Sequence, residues 1–327
     1  MPHVLVAGKI HPAGIARLSA APGITFEMVE TVSEAAFAPR IEAADALLIR
    51  TQPLGAATIA RADRLQVVSR HGVGFDAVDV AALTARGIPL AVVGDVNTVA
   101  VAEHAMMMLL AATKRALRAD QAVRTADGWG WRNRLEATEI GGKTLLLLGY
   151  GRIGRKVAEL AMAFGVRVVA HDPWLMANGW PDGPVRPAPD LASALARADL
   201  ISVHMPRADR PTLGAAELAH VKPGAVLVNT ARGGIVDEAA LVAALTRGQI
   251  GAAGLDVFDD EPPSPDHPLL AFDQVLFSPH IGGLTAEGGE RLATHSVQNI
   301  LDHFAGCLDP SLVVNRAALG GLKDLAK

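Results

Sequence analysis

Short apolar runs recur along the chain, and most are apolar at every position rather than at alternate ones. VLVAG (4–8), ALLIR (46–50), LQVVSR (65–70) and IPLAVV (88–93) have this character, with the helical patterns ARLSA, AATIARA and VDVAALTARG between them. After residue 143 the rhythm resumes in TLLLLG, VRVVAH (166–171), LISVH (200–204), AVLVN (225–229), GAAGLDV (251–257) and VLFSP (275–279). A strand apolar along its whole length is buried on both faces, and strands alternating with helices build helix-covered parallel sheets. The pattern predicts an α/β protein, and some ten strands are too many for one ordinary parallel sheet, so two sheets are expected. Near residues 97–125, the stretch TVAVAEHAMMMLLAATKRALRADQAVRTA (98–126) predicts one long helix without Gly or Pro. It is apolar nearly all round at its start and therefore buried, as a core helix with a subunit contact as a further option. WPDGPVRPAPD (180–190), with four prolines, predicts a surface loop.

Composition narrows this picture. The 327 residues suit two domains, and 50% hydrophobic residues with only 4% aromatics make the core aliphatic. A net charge of −4 gives no electrostatic reason to expect nucleic acid or an anionic membrane. Cys307 is the only cysteine, which points to a reducing compartment. The start MPHVLVAGKIHPAG reads as a strand and turn rather than a signal peptide, and AMMMLLAA (105–112) is far too short to span a bilayer. A cytoplasmic protein is the expectation. No HExxH or paired-cysteine spacing accompanies the eleven histidines, so no metal is expected.

Chemistry enters at LLLLGYGRIGRKVAEL (145–160), where a strand pattern meets Gly149-x-Gly151-x-x-Gly154 and then a helix. Gly149 permits a tight turn, Gly151 lets a pyrophosphate approach the backbone, and Gly154 lets helix and strand pack. The helix start adds unpaired N–H groups and partial positive charge. The next strand ends at Asp172, eighteen residues after Gly154, where a carboxylate can accept ribose hydroxyls and repel a 2′-phosphate. A glycine turn followed by an unrelated acid is the bland alternative. The ordered strand, loop, helix, strand and acid favour a bound dinucleotide, NAD rather than NADP.

Three later segments place chemistry beyond strand ends: VNTARGGIVDEAAL (228–241), GLDVFDDEPP (254–263) and SPHIGGLTAEG (278–288). Arg232 can clamp a carboxylate and polarise a carbonyl; His280 can move a proton near neutral pH; Glu261 can orient it. Taken singly, they read equally as a surface ion-pair partner, a capped loop histidine and a carboxylate before Pro262.

As a set, LGYGRIGRKVA, NTARGGIVDEAAL, LDVFDDEPP and SPHIGGLT resemble segments of the D-isomer-specific 2-hydroxyacid dehydrogenases, especially the phosphoglycerate dehydrogenase-like branch. LQVVSRHGVGFDAVD (65–79) and VAVAEHAMMMLL (99–110) resemble the substrate-domain motifs of that family. The resemblance implies a catalytic trio of Arg232, Glu261 and His280. It implies substrate binding by Arg50, Arg232 and the backbone amides of Val73 and Gly74. It places NAD on Gly149, Tyr150, Gly151, Arg152, Ile153, Gly154 and Asp172. Further contacts would come from His204, Pro206, Thr230, Ala231, Asp256, His280 and Gly282, with Asp256 on the nicotinamide carboxamide.

The implied fold has two doubly wound parallel-sheet domains with the active-site cleft between them. Residues 1–100 would form a smaller flavodoxin-like substrate domain, 101–285 a Rossmann-type NAD-binding domain, and 286–327 a helix returning to the first. The implied reaction is reversible hydride transfer between NAD(H) and a small D-2-hydroxy or 2-oxo acid such as phosphoglycerate, hydroxypyruvate or glyoxylate, in a homodimer. His71 and Phe75 depart from many phosphoglycerate-acting members, and Arg61, Arg64, Arg132 and Arg134 are the cations at hand for a phosphate. An NAD-sensing corepressor and a formate- or phosphite-type dehydrogenase are the alternative readings.

Overall fold

In the computed structural model, which describes residues 1–320, the apolar runs form two sheets in which every strand pair is parallel. The chain divides into two compact units, one made of Met1–Asn97 with the segment that begins at Leu284, the other of Thr98–Gly283.

The smaller unit holds β1 (His3–Ala7), β2 (Thr25–Val29), β3 (Ala46–Ile49), β4 (Val67–Arg70) and β5 (Leu90–Ala91) in the order β2-β1-β3-β4-β5. This is the flavodoxin-like winding. Alternate residues of each strand enter opposite cores: Leu5, Leu47 and Val68 meet Phe37, Ile41 and Leu83, whereas Val4, Val6, Leu48 and Val67 meet Val297 and Ile300. Burial on both faces is why these strands read as unbroken apolar runs. The second core is closed by the helix Ala286–Phe304, which is also tied down by Ser69 Oγ donating to Ser296 O (2.8 Å) and Asn299 Nδ2 donating to Val92 O (3.0 Å). β2, TFEMV, is an edge strand with none of its residues buried, and the sequence pattern does not announce it.

The larger unit holds β6 (Thr144–Leu148), β7 (Arg167–His171), β8 (Arg186–Pro187), β9 (Leu200–Val203), β10 (Ala225–Asn229), β11 (Ile250–Leu255) and β12 (Val275–Phe277). Their order, β12-β11-β10-β9-β6-β7-β8, reverses direction between β6 and β9. At such a switch point in an open parallel sheet, ligands bind beyond the carboxyl ends of the strands. The four leucines of β6 divide between faces, Leu146 and Leu148 to one core and Leu145 and Leu147 to the other. β8 lies within the proline-rich tract expected to be all loop; it is only two residues long.

The helix expected over 97–125 is two helices, Thr98–Thr113 and Ala116–Arg124, separated at Arg115 with φ 54°. Tertiary partners end the first helix. Thr138 N donates to Thr113 O (2.9 Å), and the Arg115 guanidinium donates to Gly251 O (2.8 Å). Neither is a local Gly or Pro signal. The first helix is buried against the unit's own sheet, and a Cβ on Gly254 would stand 2.8 Å from Met108 Cβ, so glycine there permits the close approach. No helix among the described residues is long and apolar enough to cross a membrane.

Candidate active site

In the larger unit the glycine loop follows β6 and opens the helix Arg152–Ala163. Gly149 has φ +94°, and a Cβ there would lie 2.5 Å from His204 O; a Cβ on Gly154 would lie 2.4 Å from Gly149 O. Both glycines are therefore required by packing. A Cβ on Gly151 meets nothing within 4 Å, so its small size leaves open space above the loop. Gly151 caps the helix without a side-chain hydrogen bond, which leaves first-turn N–H groups available to an anion.

Tyr150 is engaged elsewhere. Its N–H donates to Asp172 Oδ2 (2.9 Å), its carbonyl accepts from Arg155 Nε (3.1 Å), and its ring stacks on Trp180 at 5.3 Å. With Gly149 N also donating to His171 O (2.9 Å), the loop amides left for a pyrophosphate are those of Gly151, Arg152 and Ile153. Asp172 stands just beyond β7, where its Oδ1 also accepts from Leu175 N (3.0 Å) and caps the next helix. The acid thus fixes the loop's shape as well as facing its mouth. Beyond β9 and β10, His204 Nδ1 and Thr230 Oγ1 are buried without hydrogen-bond partners. Burial holds the His204 imidazole well below the ordinary histidine range. Open space over Gly151, free first-turn amides and these two orphaned polar atoms fit a polar dinucleotide at the switch point. Pro206 is exposed.

The segments bearing Arg232, Glu261 and His280 follow β10, β11 and β12. A Cβ on Gly233 would overlap Phe258 O at 1.9 Å, and Gly234 N donates to Asp259 Oδ1, so the first two loops are locked together. Glu261 Oε1 accepts from Phe258 N (3.1 Å), and Glu261 Oε2 meets His280 Nδ1 at 2.7 Å. Burial works to raise the Glu261 pKa, but the hydrogen bond and charge of His280, with the Phe258 N–H, outweigh it and hold the carboxyl below its ordinary range. Glu261 therefore stays ionised beside the imidazole. Arg232 donates to Ala231 O (2.6 Å), and its own carbonyl accepts from buried Asn229 (2.9 Å).

His280 has φ 53°, an uncommon conformation for a non-glycine residue. Asp256 accounts for it. Its main-chain oxygen accepts from His280 N (2.8 Å), and its carboxylate accepts from Ile281 N (2.9 Å), Gly282 N (2.8 Å) and Ser278 Oγ. His104 completes the cluster, with Nε2 2.9 Å from Ser278 Oγ and 3.5 Å from Asp256 Oδ1. Burial pulls the Asp256 pKa upward, yet these donors hold it below its ordinary value. Asp256 thus organises the His280 loop. His104 and Ser278 are the residues that sequence reasoning missed; the polar pair Glu103-His104 interrupting the otherwise apolar AVAEHAMMM was the available signal.

In the smaller unit the loop after β4 presents the N–H groups of Val73 and Gly74, and among the described residues neither has a hydrogen-bond partner. Two adjacent free amides form a cradle for a carboxylate. Arg50, just past β3, is half-buried, donates to Lys9 O (2.7 Å) and meets no carboxylate among the described residues. Three of the arginines considered for a phosphate are already paired: Arg61 with Glu42, Arg64 with Asp45 and Arg134 with Glu136.

Two parallel α/β units, a dinucleotide-type glycine loop and a carboxylate–histidine pair beyond the strand ends define a nucleotide-dependent α/β protein. Residues 106–282 match the family model described as D-isomer specific 2-hydroxyacid dehydrogenase, NAD binding domain. The chain is 40% identical over 323 residues to a D-3-phosphoglycerate dehydrogenase of Mycobacterium bovis, covering 96% of this chain and 59% of that protein. It is 39% identical over 280 residues to a glyoxylate reductase of Aeropyrum pernix, covering 83% of each. A solved Thermus thermophilus structure superposes with TM-score 0.87 at 34% identity, covering 95% of this chain and 99% of that one. An NADPH-dependent glyoxylate/hydroxypyruvate reductase of Sinorhizobium meliloti does so with TM-score 0.83 at 30% identity, covering 97% and 98%. The chain belongs to the D-isomer-specific 2-hydroxyacid dehydrogenase family. It spans well under two thirds of the length of its phosphoglycerate dehydrogenase relatives.

Proposed function

We propose that the chain reversibly transfers hydride between NAD(H) and a small D-2-hydroxy or 2-oxo acid. The observation that carries this is the 2.7 Å contact between His280 Nδ1 and Glu261 Oε2, on a loop whose conformation Asp256 fixes. The bound nicotinamide supplies or accepts the hydride. The Val73 and Gly74 amides take the substrate carboxylate, with Arg50 a further contact, and Arg232 draws charge onto the 2-oxo oxygen. In reduction His280 donates a proton to that oxygen; in oxidation it removes one, and ionised Glu261 stabilises the imidazolium between.

Gly149–Gly154 with the Gly151, Arg152 and Ile153 amides would hold the pyrophosphate, Asp172 the adenosine ribose, and His204, Pro206, Thr230, Ala231 and Gly282 the remaining face. Asp172 favours NAD, because its charge would oppose a 2′-phosphate.

We also propose a homodimer. The helix Thr98–Thr113, at or near which the interface is expected, exposes Val99 and Met107, and Leu117, Val123, Trp129 and Leu135 are exposed just beyond it. Sedimentation at micromolar concentration should show a dimer, and a monomer would contradict this. Cytoplasmic residence suits the single cysteine.

The test of the reaction is NADH oxidation with a panel of small 2-oxo acids. Turnover of at least one is expected. Tight NADH binding without any turnover would instead support a nucleotide-sensing protein.

A further inference from the structure

His104 is out of place in the helix Thr98–Thr113. Ala102, Ala105 and Met108 of that helix are fully buried, and the imidazole is largely enclosed beside them. A polar ring in such surroundings is costly unless it is hydrogen-bonded, and its partner is Ser278, on the loop that carries His280. All of these residues belong to the larger unit.

The direction of the hydrogen bonds follows from their far end. Burial works to raise the Asp256 pKa, but the bonds from His104 and Ser278, followed by those from Ile281 and Gly282, keep the carboxyl ionised. An ionised carboxylate only accepts, so Ser278 spends its single O–H on Asp256 Oδ1. The Ser278 oxygen is then left as an acceptor, and its 2.9 Å contact requires His104 Nε2 to carry the proton. The chain runs from imidazole N–H to hydroxyl and from hydroxyl to carboxylate.

His104 meets the loop a second time. A Cβ on Gly282 would lie 2.9 Å from Asp256 Oδ2 and 3.5 Å from His104 Cδ2, so the ring lies against that glycine. Ser278 and Gly282 stand two residues before and two residues after His280. The ring therefore brackets a residue whose φ of 53° has to be imposed by its surroundings, because a side chain disfavours it. The His280 Nδ1 that meets Glu261 at 2.7 Å hangs on that backbone, and a change of φ would swing it away.

We propose that His104 is a positioning residue for His280: through Ser278 and Gly282 it holds the left-handed turn that aims the proton-carrying imidazole at Glu261. This rests on the hydride-transfer reading above. Misplacing a reacting group by about 1 Å from outside the reacting centre costs on the order of 10²-fold in rate. The loss belongs in kcat, and it exists only where His280 is present to be misplaced.

The experiment measures kcat, KM and NADH affinity for His104→Leu, His104→Gln and Ser278→Ala, each with His280 intact and in His280→Ala, using the 2-oxo acid that the wild type turns over fastest. His104→Leu should lower kcat at least about tenfold in both directions, with KM for the acid and the fluorescence-titrated NADH dissociation constant within about twofold. His104→Gln, whose side-chain N–H can donate to Ser278, should recover most of the loss, and thermal melts separate this from misfolding. His104→Leu combined with Ser278→Ala should be no worse than the more damaging of the two, since both break one chain. In His280→Ala, His104→Leu should change turnover by less than about twofold. A loss that persists undiminished in His280→Ala, or that appears in NADH affinity instead of kcat, would overturn the positioning role while leaving the reaction standing. Wild-type kcat in His104→Leu would do the same. No turnover of any acid by the wild type would overturn the hydride-transfer reading, and the positioning role with it.

Discussion

The glycine loop of the larger unit and the 71–74 loop of the smaller both offer main-chain N–H groups to an anion, yet they constrain the sequence very differently. At Gly149 and Gly154 a single Cβ would sit 2.5 and 2.4 Å from a carbonyl oxygen, so the residue type is dictated by sterics. At Val73 the working group is an amide that every residue except proline possesses. Sterically forced glycine leaves a mark in the sequence; main-chain presentation leaves almost none.

That comparison can be broken by substitution. Gly154→Ala should lower NADH affinity by about 10²-fold or prevent folding, because the colliding atom is main chain and cannot swing aside. Titration of NADH fluorescence with a circular-dichroism melt checks it. Asp172→Ala should come next. It removes the carboxylate that holds the Tyr150 and Leu175 N–H groups, so stability should fall by about 1–2 kcal/mol. The ratio of kcat/KM for NADH to that for NADPH should drop by about tenfold, an ordinary value for losing one charged contact; equal use of both cofactors by the wild type would remove the basis for the assignment.

A third outcome concerns acid stability. His71 titrates near 4 in the folded chain against an ordinary 6.5, so below pH 6.5 the unfolded chain takes up a proton that the folded one refuses. Its stabilising contribution is full above pH 6.5 and is lost as pH falls toward 4, by on the order of 3 kcal/mol. Urea titrations across this range should show His71→Leu with a flatter acid limb; an unchanged limb would mean that the ring is not buried neutral. The smallest effect is expected at Val73→Ala, within about threefold in kcat/KM, because the amide survives.

Much of the larger unit was legible because its apolar runs are buried on both faces and its glycines are forced. β2 was hidden because an edge strand with no buried residue lacks such a run. The break at Arg115 was hidden because its causes, Thr138 and Gly251, lie elsewhere in the chain. At the site, the nature of Glu261 and His280 could be read from residue type, but their 2.7 Å contact could not. The role of Asp256 shifted most. Expected as a partner for the nicotinamide, it also accepts from Ser278, Ile281 and Gly282 and sets the backbone of His280. His104, half-buried against Ser278, became visible only when a helix and a strand end were brought together.

The central claim is that one residue, His280, carries the proton in both directions, and kcat/KM against pH for reduction and for oxidation tests it most directly. Reduction needs the protonated imidazole and should decline with rising pH, whereas oxidation needs the neutral ring and should rise over the same interval. In His280→Ala both rates should fall by about 10²–10⁴-fold, and both slopes should disappear. Slopes of the same sign in the two directions, or slopes that persist in His280→Ala, would contradict the account.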